Sequence, residues 1–276
     1  MRTIGNRRYN LLFIDSNVIS EIVHNGNINS SDFFNYSLEN NAIVCFSFYN
    51  ILEIRNGYKE RWEKFLEFFS MFPCAVIKPY WQIILDEVDS YDKESGELYH
   101  ELYPIFNHFS ALGKNSTYHF KKWIDEVLDL AKDSLKYEQT IFMKTMNYFN
   151  SRRDLSEERV KKEFAKRMQI EKLDPMLMKK STSNRLFENM KLPSINVLFY
   201  SFFHRYAYLK RELKISDIND IAISACTPYI DAIITEKYQS QVLLEILHKM
   251  KLSEIKIFKV SSFFIGKDFP AIVTDK

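Results

Sequence analysis

The amino-acid sequence predicts an α/β protein with a central parallel sheet of four to five strands and a large all-helical insertion. Short apolar runs typical of buried strands alternate with helical patterns, which favours parallel strands joined by crossover helices. These runs also cluster at the two ends of the chain, so a long segment separates them. The predicted strands cover residues 10–15, 42–47, 74–78, 232–235 and 255–260.

The segment between the third and fourth strands is helical in its pattern. Apolar residues such as Trp123, Val127 and Leu135 recur at helical spacing, and charged residues fill the other face. We therefore predict a discontinuous sheet-containing domain, 1–84 and 214–276, interrupted by an insertion, 85–213, with several helices and no strand. Helix breaks are expected near residues 115–117, 151–156, 174–175 and 192–193, where caps or prolines occur.

The charges are unevenly distributed along the chain. The net charge is only +2 over 276 residues, so the whole molecule gives no argument for nucleic-acid or membrane binding. Residues 151–215, however, carry sixteen Lys and Arg against eight Asp and Glu. This excess suits contact with a nucleic-acid backbone, and a solvated helical face explains it equally well. The candidate contacts are Arg152, Arg153, Lys161, Lys162, Lys166, Arg167, Lys179, Lys180 and Arg185.

Several common classes are excluded by simple counts. The six glycines are too scattered for a phosphate-binding loop, which argues against Rossmann and P-loop folds. Cys45, Cys74 and Cys226 are far apart in apolar surroundings, which indicates reduced core residues. The polar first ten residues lack a secretory signal and no uncharged run is long enough to span a bilayer, so we expect a cytoplasmic protein.

Asp15 is the first candidate site residue. It ends the first apolar run, at the carboxyl edge where open α/β sheets bind their ligands. A helix begins directly after it, so Asp15 could equally be the helix N-cap, although Ser16 and Asn17 can also cap. Both readings, ligand and cap, stay open at this point.

Further acids are predicted at the same edge. Glu53 lies in the helix after the second strand, between apolar neighbours. Asp217 and Asp220 begin the helix that precedes the fourth strand, and Glu236 ends that strand. A helix before a parallel strand runs opposite to it, so its start and the end of the strand lie together. Asp231 opens the strand, some 15 Å from Glu236, and is the weaker ligand candidate; we expect it to hydrogen-bond a turn.

These segments together resemble the PIN-like nuclease domains. The resemblance covers roughly residues 9–80 and 215–262, about 120 residues, and it rests on the run 12–20, the stretch around Glu53 and the run 219–237. It implies a three-layer fold and an acidic cluster of Asp15, Glu53, Asp220 and Glu236, with Asp217 and Asp231 in reserve. The family usually has an aspartate where this chain has Glu236 followed by Lys237, so the fourth position departs from the pattern.

By that resemblance the chain is a Mg²⁺- or Mn²⁺-dependent nuclease, acting on RNA more readily than on DNA. Converging carboxylates favour such cations because the cations relieve their mutual repulsion. Many members of the family are toxins inhibited by a partner protein, so an inhibitory partner and a homo-oligomer are both compatible with this assignment. The alternative is a PIN-like scaffold that no longer cuts and binds nucleic acid or a protein.

Overall fold

The chain forms an α/β structure with a mixed β-sheet, in a computed structural model that describes residues 2–4, 7–90, 102–110, 113–152, 154–170, 192–208 and 215–272. The strands are β1 (Arg2–Ile4), β2 (Arg7–Ile14), β3 (Ala42–Phe46), β4 (Cys74–Ile77), β5 (Ile105–Phe109), β6 (Ala232–Thr235) and β7 (Lys256–Lys259). The helices are α1 (Ser16–Ser20), α2 (Ser30–Glu39), α3 (Phe48–Arg55), α4 (Lys59–Phe69), α5 (Tyr80–Ser90), α6 (Ser116–Asn150), α7 (Glu157–Ile170), α8 (Pro193–Phe203), α9 (Ile215–Ser224) and α10 (Lys237–Met250).

Five strands of the sheet run parallel, as the sequence predicts. The order is β5-β4-β3-β2-β6-β7, with parallel pairing from β4 through β7 and antiparallel β1 added to the start of β2. Every residue of β3, β4 and β6 is buried. Because side chains alternate between the faces of a strand, both faces of these strands are covered. The α/β class and the five predicted strands are confirmed, and the finer PIN-like assignment remains a prediction.

The prediction of an insertion without strands is wrong, because β5 lies inside residues 85–213. It pairs antiparallel with β4, and the register shifts between Val76 and Ile77. The strand is only five residues long and contains the polar pair Asn107 and His108. A five-residue edge strand shows too little alternation of apolar and polar residues to be recognised, because the long helical pattern of α6 follows it closely in the sequence.

The helix breaks agree with the sequence wherever the structure describes them. Helix α6 begins at Ser116, α7 begins at Glu157 and α8 begins with Pro193 in its first turn. Proline suits that position because the first helical N–H groups have no intrahelical acceptor. The expected break at 174–175 lies outside the described residues. Each described helix is either too short or too polar to span a lipid bilayer.

The chain divides into two compact units that differ from the predicted division. The first unit comprises residues 1–77, 105–132 and 230–276, and the second comprises residues 78–104 and 133–229. The first therefore contains the sheet together with β5 and the first half of α6. Asp217 and Asp220 belong to the second unit, and Asp15, Glu53 and Glu236 belong to the first.

Aromatic side chains form much of the core of each unit. In the first unit, Phe46 packs edge-on against Phe65 and Phe69 of α4, with ring centroids 5.4 and 5.0 Å apart. In the second unit, Phe202 of α8 stacks on Phe164 of α7 and contacts Phe149 of α6 at 5.1 and 4.8 Å. All of these rings are buried, and burial of one such side chain stabilises the fold by about 1.5–3 kcal/mol.

Candidate functional site

Asp15 lies at the carboxyl end of β2 and connects that strand to α1 and β6. Its Oδ1 accepts hydrogen bonds from the backbone N–H groups of Asn17 (2.9 Å) and Val18 (3.0 Å), so Asp15 is the N-cap of α1. Its Oδ2 accepts from the Thr235 hydroxyl and from the backbone N–H of Glu236 (3.2 Å). The cap reading is therefore confirmed, and the ligand reading stays a prediction.

The register of the sheet brings these groups together. Strands β2 and β6 are parallel neighbours in which Ile14 pairs with Ile234, so Asp15 and Thr235 follow at the same level. The Asp15 backbone N–H also donates to the Ile234 carbonyl at 3.3 Å. Two adjacent parallel strands thus end beside each other, and the β6 end supplies two donors to the Asp15 carboxylate.

The charge of Asp15 is only partly compensated. Burial raises the pKa of its carboxyl above the ordinary value, and the hydrogen bonds from Thr235, Val18, Glu236 and Asn17 oppose that rise. All four described partners are neutral donors. A positive group at this carboxylate would therefore be stabilised electrostatically.

Glu53 is held at the same edge by a buried polar cluster. The Ser16 hydroxyl donates to Glu53 Oε2 at 2.6 Å and accepts from Asn50 Nδ2 at 3.0 Å. Asn50 is fixed in turn by a capping box, since Ser47 and Asn50 hydrogen-bond each other at the start of α3. The carboxylate itself is exposed, so a positioned base reaches solvent here.

Glu236 completes a set of three acids around the start of α1. It follows β6 directly, and its Oε2 accepts from Asn17 Nδ2 at 3.4 Å. Ser16 and Asn17, the two residues that directly follow Asp15, therefore hydrogen-bond Glu53 and Glu236 respectively. We call these three acids, Asp15, Glu53 and Glu236, the acidic edge. Within the part of the chain that the structure describes, no three His, Cys, Asp or Glu side chains are grouped closely enough to hold a metal ion.

The two reserve candidates have structural partners. Asp231 Oδ2 accepts from the Leu11 backbone N–H at 2.8 Å, and its own N–H donates to the Leu11 carbonyl. It therefore joins the start of β6 to β2 rather than a turn. Asp217 is buried in the second unit, 3.6 Å from the Nε of Arg205.

Asp220, which the resemblance places among the ligands, forms an ion pair in the second unit. Its Oδ2 lies 3.1 Å from Nη2 of Arg205, whose side chain is fully buried. Arg205 Nη1 also donates to the hydroxyl and the carbonyl of Ser201. A buried guanidinium requires such partners, because an uncompensated buried charge is strongly destabilising.

The predicted basic contacts all lie between residues 151 and 186, and the structure describes some of them. Arg152 is exposed just after α6, and Lys161, Lys162 and Arg167 lie on α7. Lys166 belongs to the same helix, but its side chain is outside the described residues. Arg153, Lys179, Lys180 and Arg185 also lie outside the described residues.

Sequence reasoning missed two buried polar groups and underused a third. Asn50 stands three residues after Ser47, and that capping-box spacing could have found it. Glu87 of α5 lies among apolar residues at helical spacing, which marks an inward position. Thr235 was not among the predicted site residues, although it precedes Glu236 at the end of a buried strand. Comparison of the chain with protein-family models, with curated proteins and with solved structures finds no match.

Proposed function

We propose that the chain is a divalent-cation-dependent phosphodiesterase of the PIN-like kind that cleaves RNA at the acidic edge. The observation that carries the proposal is that the two residues after Asp15 hydrogen-bond two further acids, Glu53 and Glu236. The three acids come from distant parts of the sequence and gather at the carboxyl end of parallel strands, where α/β sheets bind ligands.

The donor set fits a hard cation by its chemistry. Mg²⁺ and Mn²⁺ prefer carboxylate oxygens, and the candidate ligands are Asp15, Glu53 and Glu236. Among the described residues these three are not grouped closely enough to hold an ion, so the proposal requires that their side chains converge when the ion binds. The raised pKa of Asp15 is consistent with this assignment, because burial leaves its negative charge only partly compensated by neutral donors. When bound, the cation would supply Lewis-acid stabilisation of phosphate charge and lower the pKa of a water.

The side chains have distinct tasks in this proposal. Asp15 is fixed by four hydrogen bonds, so its carboxylate is oriented before substrate arrives. Glu53 has one oxygen held by Ser16 while its side chain is exposed, which suits a base that takes a proton from the attacking water. Asn17 orients Glu236.

The test compares Glu53→Gln and Glu236→Gln with a matched control, Glu63→Gln. Glu63 is exposed on α4 of the same unit, where it pairs with Lys59. Cleavage of a labelled single-stranded RNA in Mn²⁺ should fall on the order of 100-fold in each edge variant and stay unchanged in the control. Equal cleavage by wild type and both edge variants contradicts the proposal, and a labelled DNA strand of the same sequence tests the choice of RNA.

The second candidate is a PIN-like scaffold that binds without cutting. The ion pair between Asp220 and Arg205 favours it, because the carboxylate that the family pattern makes a ligand is already neutralised. Lys237, next to Glu236, adds a positive charge where the family usually has an acid. Calorimetry separates the candidates: a scaffold takes up no Mn²⁺, whereas the nuclease takes up Mn²⁺ that Glu53→Gln weakens.

A further inference from the structure

Two arginines share one aromatic ring where α6 ends and α7 packs in the second unit. The guanidinium carbon of Arg167 lies 3.4 Å from the centroid of the Tyr148 ring, and that of Arg152 lies 4.5 Å from it. Arg152 Nη1 also donates to the Tyr148 hydroxyl at 2.9 Å. We call Tyr148, Arg152 and Arg167 the Tyr148 cluster.

The surrounding helices fix the cluster in place. Val160 and Phe164 form the fully buried stripe of α7, and Arg167 continues that stripe three residues later. Arg152 is held from its other side, because its backbone carbonyl accepts from the Tyr206 hydroxyl. The contacts with Tyr148 orient both guanidinium groups before any ligand binds, which lowers the entropy lost on binding.

The electrostatics of the cluster favour an anion. Among the described residues, neither Arg152 nor Arg167 forms an ion pair with a carboxylate, so two like charges face one ring without a counter-charge. The negative face of the tyrosine ring offsets only part of this repulsion. Lys161, whose ammonium lies 6.0 Å from the Phe199 ring, and exposed Lys162 extend the positive surface along α7.

We propose that the Tyr148 cluster binds the phosphate backbone of single-stranded RNA. Guanidinium groups bind phosphate oxygens through charge-assisted hydrogen bonds, and the Tyr148 ring holds two of them at one place. The choice of RNA rests on the proposed function, whereas the affinity for phosphates follows from the cluster itself. Binding at this cluster requires no divalent cation.

The test is fluorescence anisotropy with a labelled oligouridine of about 12 nucleotides in EDTA, over a series of salt concentrations. The double variant Arg152→Gln/Arg167→Gln should bind about 10-fold more weakly, and the slope of log K against log salt should fall by about 1.4, because each lost phosphate contact to a single strand removes about 0.7. The matched control is Arg159→Gln, which removes an exposed charge from α7 outside the cluster. It should shift affinity less than about twofold.

A second double variant keeps the test decisive if the glutamine variant unfolds. Arg152→Lys/Arg167→Lys retains both charges and loses the planar groups, so it should keep the salt slope and lose part of the affinity. An unchanged slope in the glutamine variant, an equal loss in the control, or displacement of RNA by polyglutamate at equal charge overturns the proposal. EDTA stops cation-dependent cleavage, so the binding measurement is independent of the nuclease assay, and its result stands even if that assay fails. If the glutamine variant keeps both cleavage and wild-type binding, only the proposal for the Tyr148 cluster is overturned.

Discussion

Asp15 and Glu87 are buried or half-buried acids at helix N-termini, one in each unit, and their surroundings differ. Asp15 accepts four hydrogen bonds, and the next residue, Ser16, donates a hydrogen bond to exposed Glu53. Glu87 is fully buried, and its Oε1 accepts from the Ser194 N–H at the start of α8 (2.7 Å) and from the Tyr229 hydroxyl (2.5 Å). Among the described residues, its Oε2 has no hydrogen-bond partner.

The comparison shows that a raised pKa alone does not identify a site residue. Burial raises the pKa of both carboxyl groups, and it raises that of Glu87 to about 7. A raised pKa in a buried site is often taken as a mark of function. Glu87 is buried and hydrogen-bonds the start of α8 and Tyr229. Its raised pKa therefore reflects the cost of burying a charged carboxylate. Asp15 is half-buried, and the two residues that follow it hydrogen-bond Glu53 and Glu236, so accessibility and nearby acids distinguish it from Glu87.

The largest expected effect is the loss of Asp15 as an acceptor. Asp15→Ala leaves the N–H groups of Asn17, Val18 and Glu236 and the Thr235 hydroxyl without this acceptor, so the free energy of unfolding should fall by about 4 kcal/mol. Urea denaturation measures the loss, and hydrogen exchange locates it at α1.

Asp15→Asn is the matched control for that prediction. Its amide oxygen still accepts from the two N–H groups of α1, so about half of the stability should return. A loss below about 1 kcal/mol in Asp15→Ala would mean that Ser16 or Asn17 caps α1 in its place, which is the alternative that the sequence left open.

Glu87 should make stability depend on pH. Between its ordinary pKa of 4.5 and its folded pKa of about 7, the folded chain holds a proton that the unfolded chain has released. The contribution of Glu87 to the free energy of unfolding is therefore fully present below about pH 4.5 and should fall by about 3 kcal/mol as the pH rises to about 7. Denaturation at a series of pH values measures the slope.

Glu87→Gln should remove that slope, because the amide does not titrate and its oxygen can accept from Ser194 and Tyr229. Asp86 is the charged neighbour that raises the pKa of Glu87 further, and it forms an ion pair with Lys78. The control Glu158→Gln changes an exposed acid of the same unit and should leave the slope in place. An equal slope in wild type and Glu87→Gln would contradict the assignment.

The sequence predicted those parts of the molecule that depend on local patterns. The five parallel strands were found because each is a short apolar run next to caps or helices, and Asp15 and Glu236 were placed at one edge because neighbouring parallel strands end there. Arg205 was not identified as the partner of Asp220, because the two are fifteen residues apart and no periodic pattern links them. Strand β5 was missed because its pairing with β4 depends on tertiary contacts.

The smallest effect concerns the single hydroxyl that links β6 to Asp15. Thr235→Val keeps the shape of the buried side chain and removes the donor, so the pKa of Asp15 should rise further and the free energy of unfolding should fall by about 1 kcal/mol. Thr235→Ser retains the hydroxyl and should keep the pKa. Titration of Asp15 by carboxyl-resolved NMR distinguishes the two variants. If Thr235→Val leaves the pKa unchanged, or Thr235→Ser shifts it as far as Thr235→Val does, the hydroxyl does not set the pKa and the β6 end does not tune the acidic edge.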